Sequence, residues 1–151
     1  MTINPLHVLL ADDSADDRIL LSRQLRTIPG LELTGLASDG PETIAWLAAA
    51  PPFADRARYP FPDLLLLDYQ MPGCSGLDVL HWLADQPRRP ASILWSHSPA
   101  LIDSRLARRL GATLVCAKPF SRSELTSIIA GLRAVSTVGP SSNYPAPRTF
   151  F

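Results

Sequence analysis

Two of the most apolar stretches of this sequence end directly on aspartates. The short run 7–11 is followed by Asp12 and Asp13, and four consecutive leucines at 64–67 are followed by Asp68. An unbroken apolar run of this kind is typical of a strand that is covered on both faces. Carboxylates in this position either cap the strands in solvent or are presented for chemistry.

The rest of the chain predicts strands and helices that would position these aspartates. Ser14 is a suitable helix cap, and Asp39 and Ser121 each stand three residues before a glutamate, as in a capping box. Ser98 followed by proline predicts another helix start, and Gly111 its end. Strands are predicted at 7–11, 31–37, 64–67, 91–95 and 113–117, and helices at 15–28, 40–50, 77–85, 99–110 and 122–132. This alternation indicates an α/β fold, the flavodoxin-like (βα)5 doubly wound parallel sheet with strand order 2-1-3-4-5.

The aspartates are expected to meet at one edge of that sheet. Ligands of open parallel sheets bind beyond the carboxyl ends of the strands, where the strand order reverses, which here lies between strands one and three. Asp12, Asp13 and Asp68 would share that pocket and raise one another's pKa values. A Mg²⁺ ion would relieve the repulsion, because it prefers a few carboxylates together with carbonyl and water ligands. Asp68 would then lie at the metal, available as a nucleophile.

Two further polar residues follow predicted strands and would face the same pocket. Ser96 follows the run 91–95, and Lys118 follows the run 113–117. Lys118 is also the only lysine of the sequence, whose other cationic side chains are all arginine. A hydroxyl and an ammonium beside a metal suit a phosphoryl group, because its transfer needs positioning and charge neutralisation more than covalent help.

Together these residues resemble the receiver domain of two-component response regulators. The resemblance covers about residues 6–132 and rests on short motifs at strand ends, namely Asp12-Asp13, Asp68 within DYQMPG, Ser96, and Lys118-Pro119-Phe120. It implies that Asp68 accepts a phosphoryl group from a phosphohistidine on a sensor histidine kinase or a phosphotransfer protein. Slow autodephosphorylation would then be the only further reaction, so the chain is not expected to be an enzyme.

The same resemblance assigns roles around the phosphoacceptor. Asp13 would bind Mg²⁺ directly, Asp12 mostly through water, and Gln70 through its backbone carbonyl. Lys118 would pair with the phosphoryl group or with the phosphoacceptor. The Lys118–Pro119 bond would be cis, an isomer found almost only before proline.

The sequence departs from the family's usual pattern at several positions. Val115 stands where the family usually has an aromatic residue whose rotation couples phosphorylation to signalling. His97 stands where a small residue is preferred, and its ring either lies in a partly exposed loop or narrows the phosphoryl site. Ser75 replaces a common aspartate. The long loop 51–62 is similar to that of stand-alone receivers that partner phytochrome-type kinases.

Composition and charge limit the partners. Lys plus Arg equals Asp plus Glu at 14 each, which argues against nucleic acid or an anionic membrane as a partner. The N-terminal segment predicts neither a signal peptide nor a membrane span. The two cysteines have neither metal nor disulfide spacing, which favours a cytoplasmic protein. We expect a receiver domain over 1–133 and a disordered or extended, Pro- and Ser-rich tail over 134–151.

Other functions compete with this interpretation. A phosphatase of the haloacid dehalogenase type needs a second aspartate two positions after the nucleophile, where this chain has Gln70. A dinucleotide site needs glycines in the first turn, which here is the DDS segment 12–14. An interaction module that keeps the receiver fold but does not depend on phosphorylation stays open because of Val115 and His97.

One predicted helix carries a basic face. By their spacing, Arg105, Arg108 and Arg109 lie on the same side of that helix. The face is either simply solvated or docks a partner, which includes a second copy of this domain. A homodimer is therefore among the expected partners.

Overall fold

Five parallel strands form a single sheet at the centre of the molecule. The computed structural model describes residues 4–119 and 121–137. Its strands are β1 (Leu6–Ala11), β2 (Leu31–Ala37), β3 (Leu64–Asp68), β4 (Ala91–Ser96) and β5 (Leu114–Ala117). They pair in the order β2-β1-β3-β4-β5, and every pairing is parallel. The predicted flavodoxin-like (βα)5 fold is confirmed.

Helices cover both faces of this sheet. They are α1 (Ala15–Leu25), α2 (Gly40–Leu47), α3 (Gly76–Ala84), α4 (Ser104–Arg109) and α5 (Arg122–Thr137). The Ser14 hydroxyl accepts a hydrogen bond from Asp17 N at 3.2 Å, and the Asp39 carboxylate accepts one from Glu42 N at 2.7 Å. These predicted caps satisfy amide groups that have no partner within the first turn of a helix.

The sheet separates two hydrophobic clusters. Leu65 and Leu67 pack on the face covered by α2, α3 and α4, whereas Leu64 and Leu66 pack on the face covered by α1 and α5. Every residue of β3 is buried. The run of leucines is explained by this position, because a central strand of a parallel sheet has no side that faces water.

The segment after β4 differs from the predicted single helix 99–110. It forms a short 3₁₀ turn at Pro99–Leu101, and α4 begins only after a break. Between them Ile102 is extended, with φ −84° and ψ 126°, and its side chain is buried. Asp103 then caps α4 through a hydrogen bond from a backbone amide of its first turn. The break brings Ile102 to the core, a tertiary contact that local helix signals do not report.

The C-terminal part of the chain is described only as far as α5. This helix extends to Thr137, so the segment predicted as a tail from residue 134 starts with helical residues. Residues 138–151 of the predicted tail lie outside the described part of the chain. Within 4–119 and 121–137, no helix has both the length and the apolar character needed to cross a bilayer.

The strand ends place the predicted site residues at one edge of the sheet. β1 ends one residue before Asp12, β3 ends on Asp68, β4 ends on Ser96, and β5 ends one residue before Lys118. Because neighbouring strands are parallel, their carboxyl ends lie at the same edge. The four residues are therefore neighbours although they are far apart in the sequence.

Gly76 lies against the end of β3 and sets the position of α3. A Cβ atom at this residue would lie 2.6 Å from the Asp68 carbonyl oxygen and 2.5 Å from Leu94 Cδ1. We expect Gly76→Ala to lower the free energy of unfolding in urea by about 1–3 kcal/mol, the usual cost of overpacking. In the matched control Gly131→Ala, the added Cβ meets nothing within 4 Å, so stability should be unchanged or higher. Equal effects of the two substitutions would contradict this account.

Candidate functional site

Three carboxylates meet beyond the ends of β1 and β3. Asp12, Asp13 and Asp68 each offer an oxygen atom that lies within 4.8 Å of the other two. Asp12 and Asp68 are buried, whereas Asp13 is exposed. The structure therefore brings these three predicted residues together, with one of them open to solvent.

Lys118 lies between these carboxylates. Its side chain is only 4 % exposed, and its Nζ lies 2.7 Å from Asp12 Oδ2 and 3.4 Å from Asp68 Oδ2. Burial on its own would lower the pKa of this ammonium, but hydrogen bonds to Asp12 and Asp17 outweigh that effect and raise the pKa above its ordinary value. Lys118 is therefore a fixed positive charge in the site.

The pKa of Asp68 is raised to about 7. Burial is the main cause, and the charge of Asp12 and a hydrogen bond with Asp13 act in the same direction. The charge of Lys118 and the hydrogen bond from the backbone amide of Gln70 act in the opposite direction and lower this pKa. Near neutral pH the metal-free carboxyl is therefore divided between its protonated and ionised forms. A divalent cation would compete with this proton, and three clustered carboxylates fit Mg²⁺.

An open pocket of about 300 Å³ leads to Asp68. It is lined by Asp13, Ser14, Asp17, Asp68, Gln70, His97 and Lys118. The backbone amide of Gln70 donates a hydrogen bond to Asp68 Oδ1 at 3.2 Å, which connects the loop after β3 to the carboxylate. A small anionic group can therefore reach Asp68 beside both the acids and the ammonium.

Backbone contacts hold Asp12 in its place. Ser14 N donates to Asp12 Oδ1 at 2.9 Å, and Arg18 Nη1 donates to the Asp12 carbonyl oxygen at 2.6 Å. The first turn of α1 is thereby fastened to the end of β1. This connection explains why the beginning of α1 belongs to the site.

Ser96 reaches the same edge of the sheet, but its hydroxyl contacts its own loop. The residue is fully buried, and its Oγ accepts a hydrogen bond from Ser98 N at 2.9 Å. Among the described residues, Ser96 is not one that lines the pocket containing Asp68. A contact from Ser96 to a phosphoryl group would therefore require the hydroxyl to reorient.

Val115 packs against the hydrophobic cluster on the face of the sheet that is covered by α2, α3 and α4.

The prediction that the Lys118–Pro119 peptide bond is cis is wrong. In the described residues, the cis peptide bond is the one between Pro51 and Pro52. The trans form of an X–Pro bond is favoured by only about 0.5–1 kcal/mol. A short sequence motif therefore does not decide the isomer.

Asp17 also belongs to this site, although it was not among the predicted site residues. Its Oδ2 accepts a hydrogen bond from Lys118 Nζ at 2.8 Å and lies 2.8 Å from His97 Nε2. Burial would raise the pKa of Asp17, but the contacts with Lys118 and His97 outweigh this and lower it. The sequence feature that could have indicated this role is the position of Asp17 in the first turn of α1, shortly after Asp13 and the end of β1.

The raised pKa of Asp68 predicts how stability depends on pH. Its folded-state pKa of about 7 lies above the ordinary value of 3.8, so the folded state binds more protons between those values. Without Mg²⁺, this group's contribution to the free energy of unfolding should therefore fall as pH rises from about 4 to 7, by up to about 1.4 kcal/mol per pH unit. Urea unfolding in a chelator should show this slope in wild type and in the exposed control Asp85→Asn, and a smaller slope in Asp68→Asn. Parallel profiles for all three proteins would contradict the assignment.

Comparison with known proteins agrees with this geometry. The sequence model described as the response regulator receiver domain matches residues 8–130. The transcriptional regulatory protein PdtaR of Mycobacterium tuberculosis is 34 % identical over 125 residues, which are 83 % of this chain and 55 % of PdtaR. A protein-glutamate methylesterase/protein-glutamine glutaminase of Desulfotalea psychrophila is 35 % identical over 91 residues, which are 60 % of this chain and 22 % of that protein. The chain thus matches only part of the length of either relative.

Solved structures show the same architecture. The phosphorylated cyanobacterial phytochrome response regulator RcpA superposes with a TM-score of 0.70 at 26 % identity, and the match covers 91 % of this chain and 99 % of RcpA. Receiver domains are in general signalling modules that bind Mg²⁺ or Mn²⁺ at an acidic pocket and interact with histidine kinases or phosphotransfer proteins. With the sequence match, the sheet order and the acidic pocket in agreement, the chain belongs to the response regulator receiver domain family of two-component systems.

Proposed function

We propose that this chain accepts a phosphoryl group on Asp68 from a phosphohistidine of a sensor histidine kinase or a phosphotransfer protein. The observation that carries the proposal is the grouping of Asp12, Asp13 and Asp68 around the Lys118 ammonium at the end of an open pocket. A carboxylate is a known acceptor in aspartyl-phosphate chemistry. The matched structure of RcpA is described as phosphorylated, which supports the same chemistry for this chain.

The reaction needs an ionised and reachable oxygen on Asp68. A carboxylate oxygen attacks the phosphorus of the phosphoimidazole, so an O–P bond forms while the N–P bond breaks. The electron pair of the broken bond returns to the imidazole nitrogen, which takes a proton from solvent. Lys118 lies 3.4 Å from Asp68 Oδ2 and can neutralise charge on the transferred group.

Asp12, Asp13, Asp68 and the backbone carbonyl of Gln70 would hold a Mg²⁺ ion. When bound, the ion supplies positive charge for the carboxylates and for phosphoryl oxygens. Asp13 is the exposed member of the three carboxylates, so it is the one that incoming cations can reach directly. Asp12 is fully buried and held by Lys118, so incoming cations do not reach it directly, and we propose that it acts on the ion through water.

The output of this domain is proposed to be protein association or onward phosphotransfer in the cytoplasm. Slow hydrolysis of the aspartyl phosphate would return the domain to its resting state, and we propose no other enzymatic activity. Arg105, Arg108 and Arg109 of α4 are all exposed, so they could contact a partner or a second copy of the domain. We also propose that residues 1–133 constitute the receiver domain and that residues 134–151, which begin with the last helical residues of α5, lie outside it.

The central prediction concerns covalent chemistry at Asp68. Incubation with Mg²⁺ and acetyl phosphate should add one phosphoryl group to the wild-type protein, detected by intact mass. Asp68→Asn should remove the adduct, because an amide is a far poorer nucleophile than a carboxylate, while the exposed control Asp85→Asn should keep it. An unchanged adduct in Asp68→Asn would refute the site, and no adduct in wild type would favour a phosphorylation-independent interaction module.

A second prediction concerns the metal. At a Mg²⁺ concentration about ten times its dissociation constant, binding should stabilise the fold by about 1.4 kcal/mol, visible as a rise in melting temperature. Asp13→Asn should reduce this rise, while its metal-free stability should be unchanged or higher because one repelling charge is gone. If millimolar Mg²⁺ does not change the melting temperature of the wild type, the shared metal site is wrong.

A further inference from the structure

The ammonium of Lys118 is divided unequally among three carboxylates. Its Nζ lies 2.7 Å from Asp12 Oδ2 and 2.8 Å from Asp17 Oδ2, but 3.4 Å from Asp68 Oδ2. Hydrogen bonds between an ammonium and a carboxylate are usually about 2.7–2.9 Å long. The short contacts are therefore made to Asp12 and Asp17, and the long one to the phosphoacceptor.

Asp17 is itself held by a second group. The same oxygen that accepts from Lys118 lies 2.8 Å from His97 Nε2, at the end of β4. Both Asp17 and His97 line the pocket that leads to Asp68. An acid from α1 is thus fixed between two basic groups from different strand ends, beside the path of the incoming phosphoryl group.

We propose that Asp17, anchored by His97, is a positioning residue that keeps the Lys118 ammonium away from Asp68 until a phosphoryl group arrives. This inference rests on the proposed phosphoacceptor function and adds a competition to it. The phosphoryl oxygens and the Asp17 carboxylate both need Lys118, so the phosphorylated state forms only by taking Lys118 from Asp17. Asp17 therefore sets how strongly the pocket holds a phosphoryl group.

The contact has two consequences of opposite sign. Replacing Asp17 by asparagine removes the competing charge, so Lys118 becomes available to a phosphoryl group and binding of that group tightens. In the absence of such a group, the released ammonium moves towards Asp68 and opposes a cation there, so Mg²⁺ binding weakens. A merely structural role for Asp17 would weaken both.

The single lysine of the sequence allows a direct measurement of this contact. In protein labelled with ¹³C-lysine, one side-chain Cε–Hε signal reports Lys118 alone. Without Mg²⁺, Asp17→Asn should move this signal, while Asp16→Asn should not. Asp16 lies in the same helical turn, is exposed and carries the same charge, so this variant controls for a general change in charge. An unmoved signal in Asp17→Asn would overturn the proposal, and this arm does not depend on phosphorylation.

The second measurement uses beryllium trifluoride as an analogue of the phosphoryl group. At saturating Mg²⁺, Asp17→Asn should lower its dissociation constant about tenfold, which corresponds to about 1.4 kcal/mol. The same variant should bind Mg²⁺ alone more weakly than wild type. Asp16→Asn should stay within about twofold of wild type in both measurements, because exposed charges are screened. The proposal is wrong if Asp17→Asn matches Asp16→Asn, or if it weakens both ligands.

The role of His97 is tested by measuring whether the effect of a His97 substitution depends on the presence of Asp17. The side chain of His97 is 47 % exposed, so His97→Ala should fold, and it should change beryllium trifluoride affinity in the same direction as Asp17→Asn. Glutamine can still donate a hydrogen bond to Asp17, so His97→Gln should restore part of the wild-type affinity. In the Asp17→Asn background, His97→Ala should have no further effect. An undiminished effect in that background would show that His97 acts on the pocket directly and would overturn the anchoring role.

The outcomes also separate this inference from the proposed function. If wild type takes neither a phosphoryl group nor beryllium trifluoride, the phosphoacceptor function fails and the competition fails with it. The lysine signal then still decides whether Asp17 holds Lys118. If wild type binds both and the Asp17 and His97 variants behave as their controls, only the present inference fails.

Discussion

The attraction between one buried ammonium and the carboxylates around it is the interaction on which this structure depends. Asp12 and Asp68 are buried at the end of a dry sheet, where like charges repel strongly. Lys118 reduces this cost through contacts of 2.7, 2.8 and 3.4 Å with Asp12, Asp17 and Asp68. The balance is incomplete, because the pKa of Asp68 remains raised to about 7. This residual imbalance supports the proposal that the pocket binds a cation.

The hydrophobic core determines the geometry of the residues at this edge of the sheet. Two clusters on opposite faces of the sheet hold β1, β3, β4 and β5 in this order, so that residues far apart in sequence come within hydrogen-bond distance at their carboxyl ends. Gly76 brings the start of α3 against the Asp68 carbonyl, and Arg18 fastens α1 to the end of β1. The residues proposed to form the site thus lie on backbone that close packing holds in place.

Features that follow from local pattern were predictable, and features that follow from contact between distant elements were not. The leucine run, the caps at Ser14 and Asp39, and the acids at the strand ends indicated the fold and the acidic pocket. The partner of Asp17 lies 101 residues away in sequence, and no periodicity indicates which turn of α1 faces β5. The break at Ile102 likewise depends on burial in the core. The isomer of the Lys118–Pro119 bond involves too small an energy difference to be read from a motif.

The burial of Lys118 also determines how this chain can be labelled. An amine reacts with acylating reagents in its neutral form and only when it is accessible, and Lys118 is 4 % exposed with a raised pKa. No other lysine occurs in the sequence. In the folded protein, amine-directed dyes, crosslinkers and surface coupling should therefore leave the Lys118 side chain and the acidic pocket intact. Modification of Lys118 itself would then report opening of the sheet edge, which makes amine acylation a chemical measure of local unfolding.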